Sequence, residues 1–156
     1  MVNMTSTTSL GEKKYWVIVA DESQATIYTQ DTTRSPLEEM AVFNNEAARK
    51  TIDDLISDSG GRSFDSKGQG RHTMTREKSD PKKQAAITFA KEIADRIVRA
   101  RHEGTCRDFA LIAAPRFLGI LRDKLTTAGN IVPFLAIDKD VVRQDIAVIE
   151  KLLHAD

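Results

Sequence analysis

Residues 80–137 read DPKKQAAITFAKEIADRIVRARHEGTCRDFALIAAPRFLGILRDKLTTAGNIVPFLAI, and their pattern decides the fold class. Asp80-Pro81 is a helix start. The aspartate serves as N-cap, and proline at the first helical position loses nothing by lacking an N–H. Ala86, Phe89, Ala90, Ile93, Ile97 and Ala100 then recur at steps of three and four, the period of a helix with one buried face. Gly104 closes that helix at a length of about 22 residues. The run 109–114 (FALIAA) has no polar residue, as in a strand buried on both faces. Residues 115–128 form the next helix, with Phe117, Leu118, Leu121 and Leu125 on its apolar side and Gly129 as its stop. A last strand spans 131–137 (IVPFLAI), and Pro133 within it argues for an edge, because proline cannot donate to the ladder. Alternating strands and helices of this kind imply parallel crossovers.

Upstream, the signals are those of an antiparallel meander. Residues 15–20 (YWVIVA) make a short β-branched strand, followed by the polar turn Asp21-Glu22-Ser23. Residues 24–30 (QATIYTQ) alternate and pair with the first strand as a hairpin. A turn-forming stretch, 31–36, leads to a third strand over 37–44, whose apolar content is Met40, Val42 and Phe43. Ala48, Ile52, Leu55 and Ile56 suggest a helix over 46–57, and Ile146, Ile149, Leu152 and Leu153 a terminal helix over 141–154. The expected architecture is α/β: a ribonuclease-H-like, mixed five-stranded sheet, meander plus parallel β-α-β, with helices on both faces. No internal repeat is present.

The chain has 156 residues, enough for one domain over 15–156 that buries about two-thirds of its unfolded surface. Residues 1–14 lack the apolar core of a signal peptide and read as a disordered tail. No apolar run approaches the ~20 residues of a membrane span. The single cysteine, Cys106, excludes an intrachain disulfide and reads as a small packing residue. These features point to the cytoplasm. A monomer and a homodimer both fit, and no membrane partner is expected.

The net charge of zero conceals a strong asymmetry. Residues 21–58 carry nine acids against three cations, a net −6. Residues 59–83 carry seven cations against three acids, a net +4, together with four of the eight glycines. The stretch 59–79 is a long, basic, glycine-rich loop, and loops beyond roughly 12–15 residues are usually functional or disordered. Glycines permit close backbone approach and cations neutralise phosphates. Arg62, Lys67, Gln69, Arg71, His72 and Arg76 are therefore candidates for contact with an anion or RNA. Arg116 joins them, because it follows a parallel strand at the start of a helix, where ligands gather and the helix dipole adds positive charge. Pairing with an acid such as Asp138 is the other reading of Arg116.

The runs Gly61-Arg62-Ser63-Phe64-Asp65-Ser66, Gly70-Arg71-His72, Asp80-Pro81, Phe89-Ala90 and Ala114-Pro115-Arg116-Phe117-Leu118-Gly119, with Leu121-Arg122, occur in a distinctive order. In that order they resemble the bacterial host-attachment family, described as proteins required for attachment to host cells. The resemblance extends over nearly the whole chain from Tyr15. That family looks related to the middle domain of archaeal and eukaryotic peptide-chain release factors. There, a Gly-Gly-Gln tripeptide in a loop before a long helix promotes ester hydrolysis. This chain has Gly68-Gln69-Gly70 in the corresponding place and no Gly-Gly-Gln, so that activity does not transfer to Gln69. The basic, glycine-rich loop still suits RNA, so the expected function is a non-enzymatic module contacting an anionic partner such as ribosomal or transfer RNA.

Two further readings stand beside it: a hydrolase acting on a phosphate or ester through residues 62–72, and a protein–protein adaptor with an indirect effect on attachment. A two-metal nuclease needs a complete set of carboxylates. Asp21 ends the first strand, but 109–114 ends without an acid. His72, His102 and His154 have no metal-binding spacing, and no serine has a nucleophile-elbow context. No catalytic residue, metal or cofactor is assigned.

Overall fold

The computed structural model describes residues 13–48 and 80–155. Five strands make one sheet: β1 (Lys14–Ala20), β2 (Gln24–Gln30), β3 (Glu38–Asn44), β4 (Cys106–Ala113) and β5 (Leu135–Ile137). Their order across the sheet is β3-β2-β1-β4-β5. β2 runs antiparallel to both β1 and β3, whereas β4 is parallel to β1 and β5 is parallel to β4. The expected mixed sheet of meander plus parallel crossovers is therefore present. Among the described residues, three full helices follow β3: α1 (Pro81–Glu103), α2 (Pro115–Gly129) and α3 (Ile146–Leu153).

The helix α1 is built as its sequence demands. The Asp80 carboxylate accepts from the Lys82 and Lys83 N–H groups, Pro81 opens the first turn, and Gly104 ends the helix at φ 85°. That left-handed conformation costs glycine little. The buried face of α1 carries Ala86, Phe89, Ala90, Ile93, Ile97 and Ala100, the six positions picked out by periodicity. α1 and α2 lie against one face of the sheet, over Trp16, Ile18, Ala25, Ile27, Phe109 and Leu111. Phe89 is central there. Its ring meets Phe43 edge-on at 5.8 Å and stacks on Phe117 at 6.0 Å. The opposite face is thinner: Val17, Val19, Ala110 and Ile112 pack with Val142 and Ile149 of the C-terminal segment.

Several expectations need correction. Gly129 does not stop α2; it is the last helical residue, and Asn130, at φ 53°, is the cap. A β-carbon at Gly129 would lie 3.0 Å from a Val98 methyl, so the glycine lets α2 approach α1 closely. Pro133 precedes β5 instead of lying inside it, because only residues 135–137 pair with β4. The edge position itself is correct. α3 begins at Ile146, not at 141, because residues 141–144 close a turn through the Gln144 N–H to the Val141 carbonyl. Of its expected inward set, Ile149 is buried but Ile146 is 37% exposed. Met40 and Val42 are also about half exposed, because β3 is an edge strand and only Ala41 and Phe43 turn toward the α1 side. Residues 46–48 open a helical turn capped by the Asn45 side-chain oxygen. The rest of the helix expected over 46–57 lies outside the described residues, as do the 59–79 loop and residues 1–12 of the expected tail.

Candidate anion-binding cleft

The parallel strands β1 and β4 end side by side, with Ala20 opposite Ala113. Each is followed directly by a structure that turns back over this end of the sheet. After β1, Asp21 forms a tight turn. One of its carboxylate oxygens accepts from the Ser23 N–H, the Ser23 hydroxyl and the Gln24 N–H at 2.8, 2.8 and 2.9 Å. The other faces Arg143 at 3.4 Å. Asp21 is thus occupied in shaping a turn, and no group of three or more potential metal ligands exists among the described residues.

Asn45 fixes the remaining wall. This residue is 5% exposed, and its side-chain N–H group donates to the Glu22 carbonyl at 2.9 Å and to the Ala85 carbonyl at 3.1 Å. Its own backbone N–H donates to Ser23. One buried amide therefore ties the β1–β2 turn to the first turns of α1. Nothing in the sequence singled it out, since an asparagine at the end of a strand looks like any turn residue.

Glu22, Asp80, Lys82, Lys83, Arg116 and Ile120 line the resulting cleft, whose volume is about 360 Å³. Three of these six are cations, and all three occupy the first turn of a helix. That placement opposes the usual rule, because the positive end of the helix dipole favours acids there. Neither α1 nor α2 has an acid in its first turn. α2 also has no side-chain cap, since its N-cap is Ala114 and its first residue is Pro115. Among the described residues, Lys82, Lys83 and Arg116 make no ion pair. The alternative partner for Arg116, Asp138, is not paired with it. Chemically, the cleft suits an oxyanion: two helix N-termini and three cations that make no ion pair among the described residues converge, with Glu22 and the capping Asp80 as the opposing charges.

Of the sequence-derived candidates, Arg116 is brought to this cleft. Arg62, Lys67, Gln69, Arg71, His72 and Arg76 lie outside the described residues. Lys82 and Lys83 were not singled out as site residues. The signal for them was present, because consecutive lysines directly after an Asp-Pro helix start run against the dipole. Cys106 is at the far end of β4 from the cleft. Burial pushes its thiol up to about 12, with Arg101 opposing that shift, and its Sγ donates to the Asp108 carbonyl. It is a packing residue and more deeply buried than expected. His154 donates to the Thr33 carbonyl at 3.3 Å, on another part of the surface.

No helix among the described residues is long and apolar enough to cross a membrane. No curated protein matches the chain. Among solved structures, the PilM-PilN type IV pilus biogenesis complex aligns with 88% of this chain at 13% identity and a TM-score of 0.37. The chain spans 39% of the length of that relative. Residues 16–153 match the family described as "Protein required for attachment to host cells". That match runs from Trp16, the third residue of β1, to the last residue of α3, and the chain belongs to this family.

Proposed function

We propose that the protein is a non-enzymatic, cytoplasmic binding module whose cleft at the ends of β1 and β4 holds phosphates of ribosomal or transfer RNA. One observation carries the reading: Lys82, Lys83 and Arg116 crowd the positive ends of two helices without an ion pair among the described residues. Such an arrangement is self-repelling until an anion arrives. The glycine-rich stretch bearing Arg62, Lys67, Gln69, Arg71, His72 and Arg76 joins α1 at Asp80, so its cations enter the same contact in this reading. A ribonuclease-H-like scaffold and kinship with the release-factor middle domain belong to the same proposal. The former is supported by a sheet in which β2 alone runs against its four companions.

The test is binding of the full chain to transfer RNA and to ribosomes by filter retention and co-sedimentation, at 50 and 200 mM salt. Retention that weakens steeply with salt, and weakens further in Lys82→Ala, Lys83→Ala and Arg116→Ala, supports the proposal. Absence of retention at low salt overturns it.

A further inference from the structure

A second cavity, of about 250 Å³, opens at the opposite end of the sheet, where α3 ends. Gln30, Thr33, Arg34, Phe134, Leu135, Leu153 and His154 line it. Gln30, the last residue of β2, is only 3% exposed. Its Nε2 donates to the Ser35 carbonyl at 2.9 Å, while its side-chain oxygen has no partner among the described residues. A buried amide oxygen left bare costs free energy, about 1–3 kcal/mol in general. Gln30 lines the cavity, so a hydrogen-bond donor bound there would complete its side chain.

Arg34 stands at the rim on the β2–β3 turn. The turn is stiff: Thr32 and Ser35 bond reciprocally, and the Arg34 N–H donates to the Thr32 hydroxyl at 3.1 Å. The guanidinium has no ion pair among the described residues. His154 closes the rim through Thr33. The remaining wall is apolar. Phe134 is 42% exposed yet held in place, by an edge contact with Tyr15 at 5.9 Å and by its N–H to the Phe109 carbonyl at 2.9 Å. An exposed aromatic, a guanidinium without an ion pair and a buried amide oxygen without a donor among the described residues make a site with three distinct demands.

We propose that this cavity binds a small carboxylic acid that carries one apolar substituent and a hydroxyl or ammonium next to the carboxylate. Arg34 takes the carboxylate, for which its planar fork is suited. The Gln30 oxygen accepts from the hydroxyl or ammonium. Phe134, Leu135 and Leu153 cover the apolar substituent. The volume lies just below the range of about 300–1,000 Å³ typical of drug-sized ligands, so the occupant is of single-ring size and smaller than a nucleotide. The inference is independent of the RNA cleft, which lies at the other end of the strands.

The probes are phenyllactate, 3-phenylpropionate and phenethyl alcohol, titrated into the isotope-labelled full chain and followed by amide NMR shifts. Phenyllactate is expected to produce saturable shifts at Arg34, Phe134 and Leu153. It should bind more tightly than 3-phenylpropionate, which lacks the donor, and phenethyl alcohol, which lacks the carboxylate, should not saturate. Arg34→Ala should weaken phenyllactate binding roughly tenfold or more. Gln30→Leu should erase the preference over 3-phenylpropionate. Shifts that stay linear with concentration, or phenyllactate binding indifferent to Arg34→Ala, would overturn the proposal.

Discussion

Replacing Lys82, Lys83 and Arg116 together by alanine separates binding from stability, because the two should move in opposite directions. Each cation that neutralises a phosphate contributes about 0.7–0.9 to the slope of log K against log salt. Three contacts thus supply a slope of roughly 2–3, and raising salt from 50 to 200 mM weakens binding about 20- to 40-fold through them alone. The triple variant should lose that part of the slope. Any slope that persists reports on cations elsewhere, including Arg62, Lys67, Arg71 and Arg76. Stability should behave differently. The three side chains are exposed, carry no ion pair among the described residues and sit against the helix dipoles. Removing each should leave the protein as stable or raise its stability by about 0.3 kcal/mol, the low end expected for exposed sites. Filter binding across a salt series gives the slope, and urea unfolding gives the stability. A slope identical to that of the unaltered protein would refute the reasoning, because no phosphate would then occupy this cleft. A large loss of stability would refute the claim that these cations are held against their local electrostatics.

Other expectations follow from the same geometry. Phe89→Ala removes the ring between Phe43 and Phe117 and should cost about 3–5 kcal/mol in urea unfolding, with a cavity at the α1–α2 seam. Asn45→Ala strips both donors from the tie between the β1–β2 turn and α1; a loss of about 2 kcal/mol and weaker RNA retention should appear together. Cys106 should resist thiol reagents at pH 8 until the protein unfolds, because burial raises its pKa from 9.0 to about 12. Tyr28 is also raised, by burial first and by Glu39 second. For both groups the folded pKa exceeds the unfolded one. The Cys106 contribution is complete below pH 9 and declines as pH rises from 9 toward 12, and that of Tyr28 declines above pH 10, so alkaline stability should fall and Cys106→Ala should lessen the fall.

Some elements were legible because local chemistry alone decides them. α1 has a cap, a first-turn proline, a three-and-four apolar period and a terminal glycine, and each signal acts within a few residues of where it is written. The polar-free run that starts at Phe109 forms the part of β4 that is buried on both faces, through Ala113. Other boundaries were misread where pairing overrides pattern. Residues 131–137 look like one strand, but three of them find a partner on β4. Apolar type alone also does not fix burial: Met40 and Val42 are about half exposed on the edge strand β3.

The amino-acid order by itself determined the alternation of elements, the mixed sheet it implies, the family resemblance and the positive charge gathered before and along the start of α1. These depend on residue type and short-range spacing. Tertiary structure alone decided that Lys82 and Lys83 share a cleft with Arg116, more than thirty positions away, and that Gln30 and Arg34 face Phe134 and His154 across a second cavity. Such meetings follow from strand order, aided at the cleft by the buried amide of Asn45, and no local rule encodes which distant turns a sheet will bring to the same end.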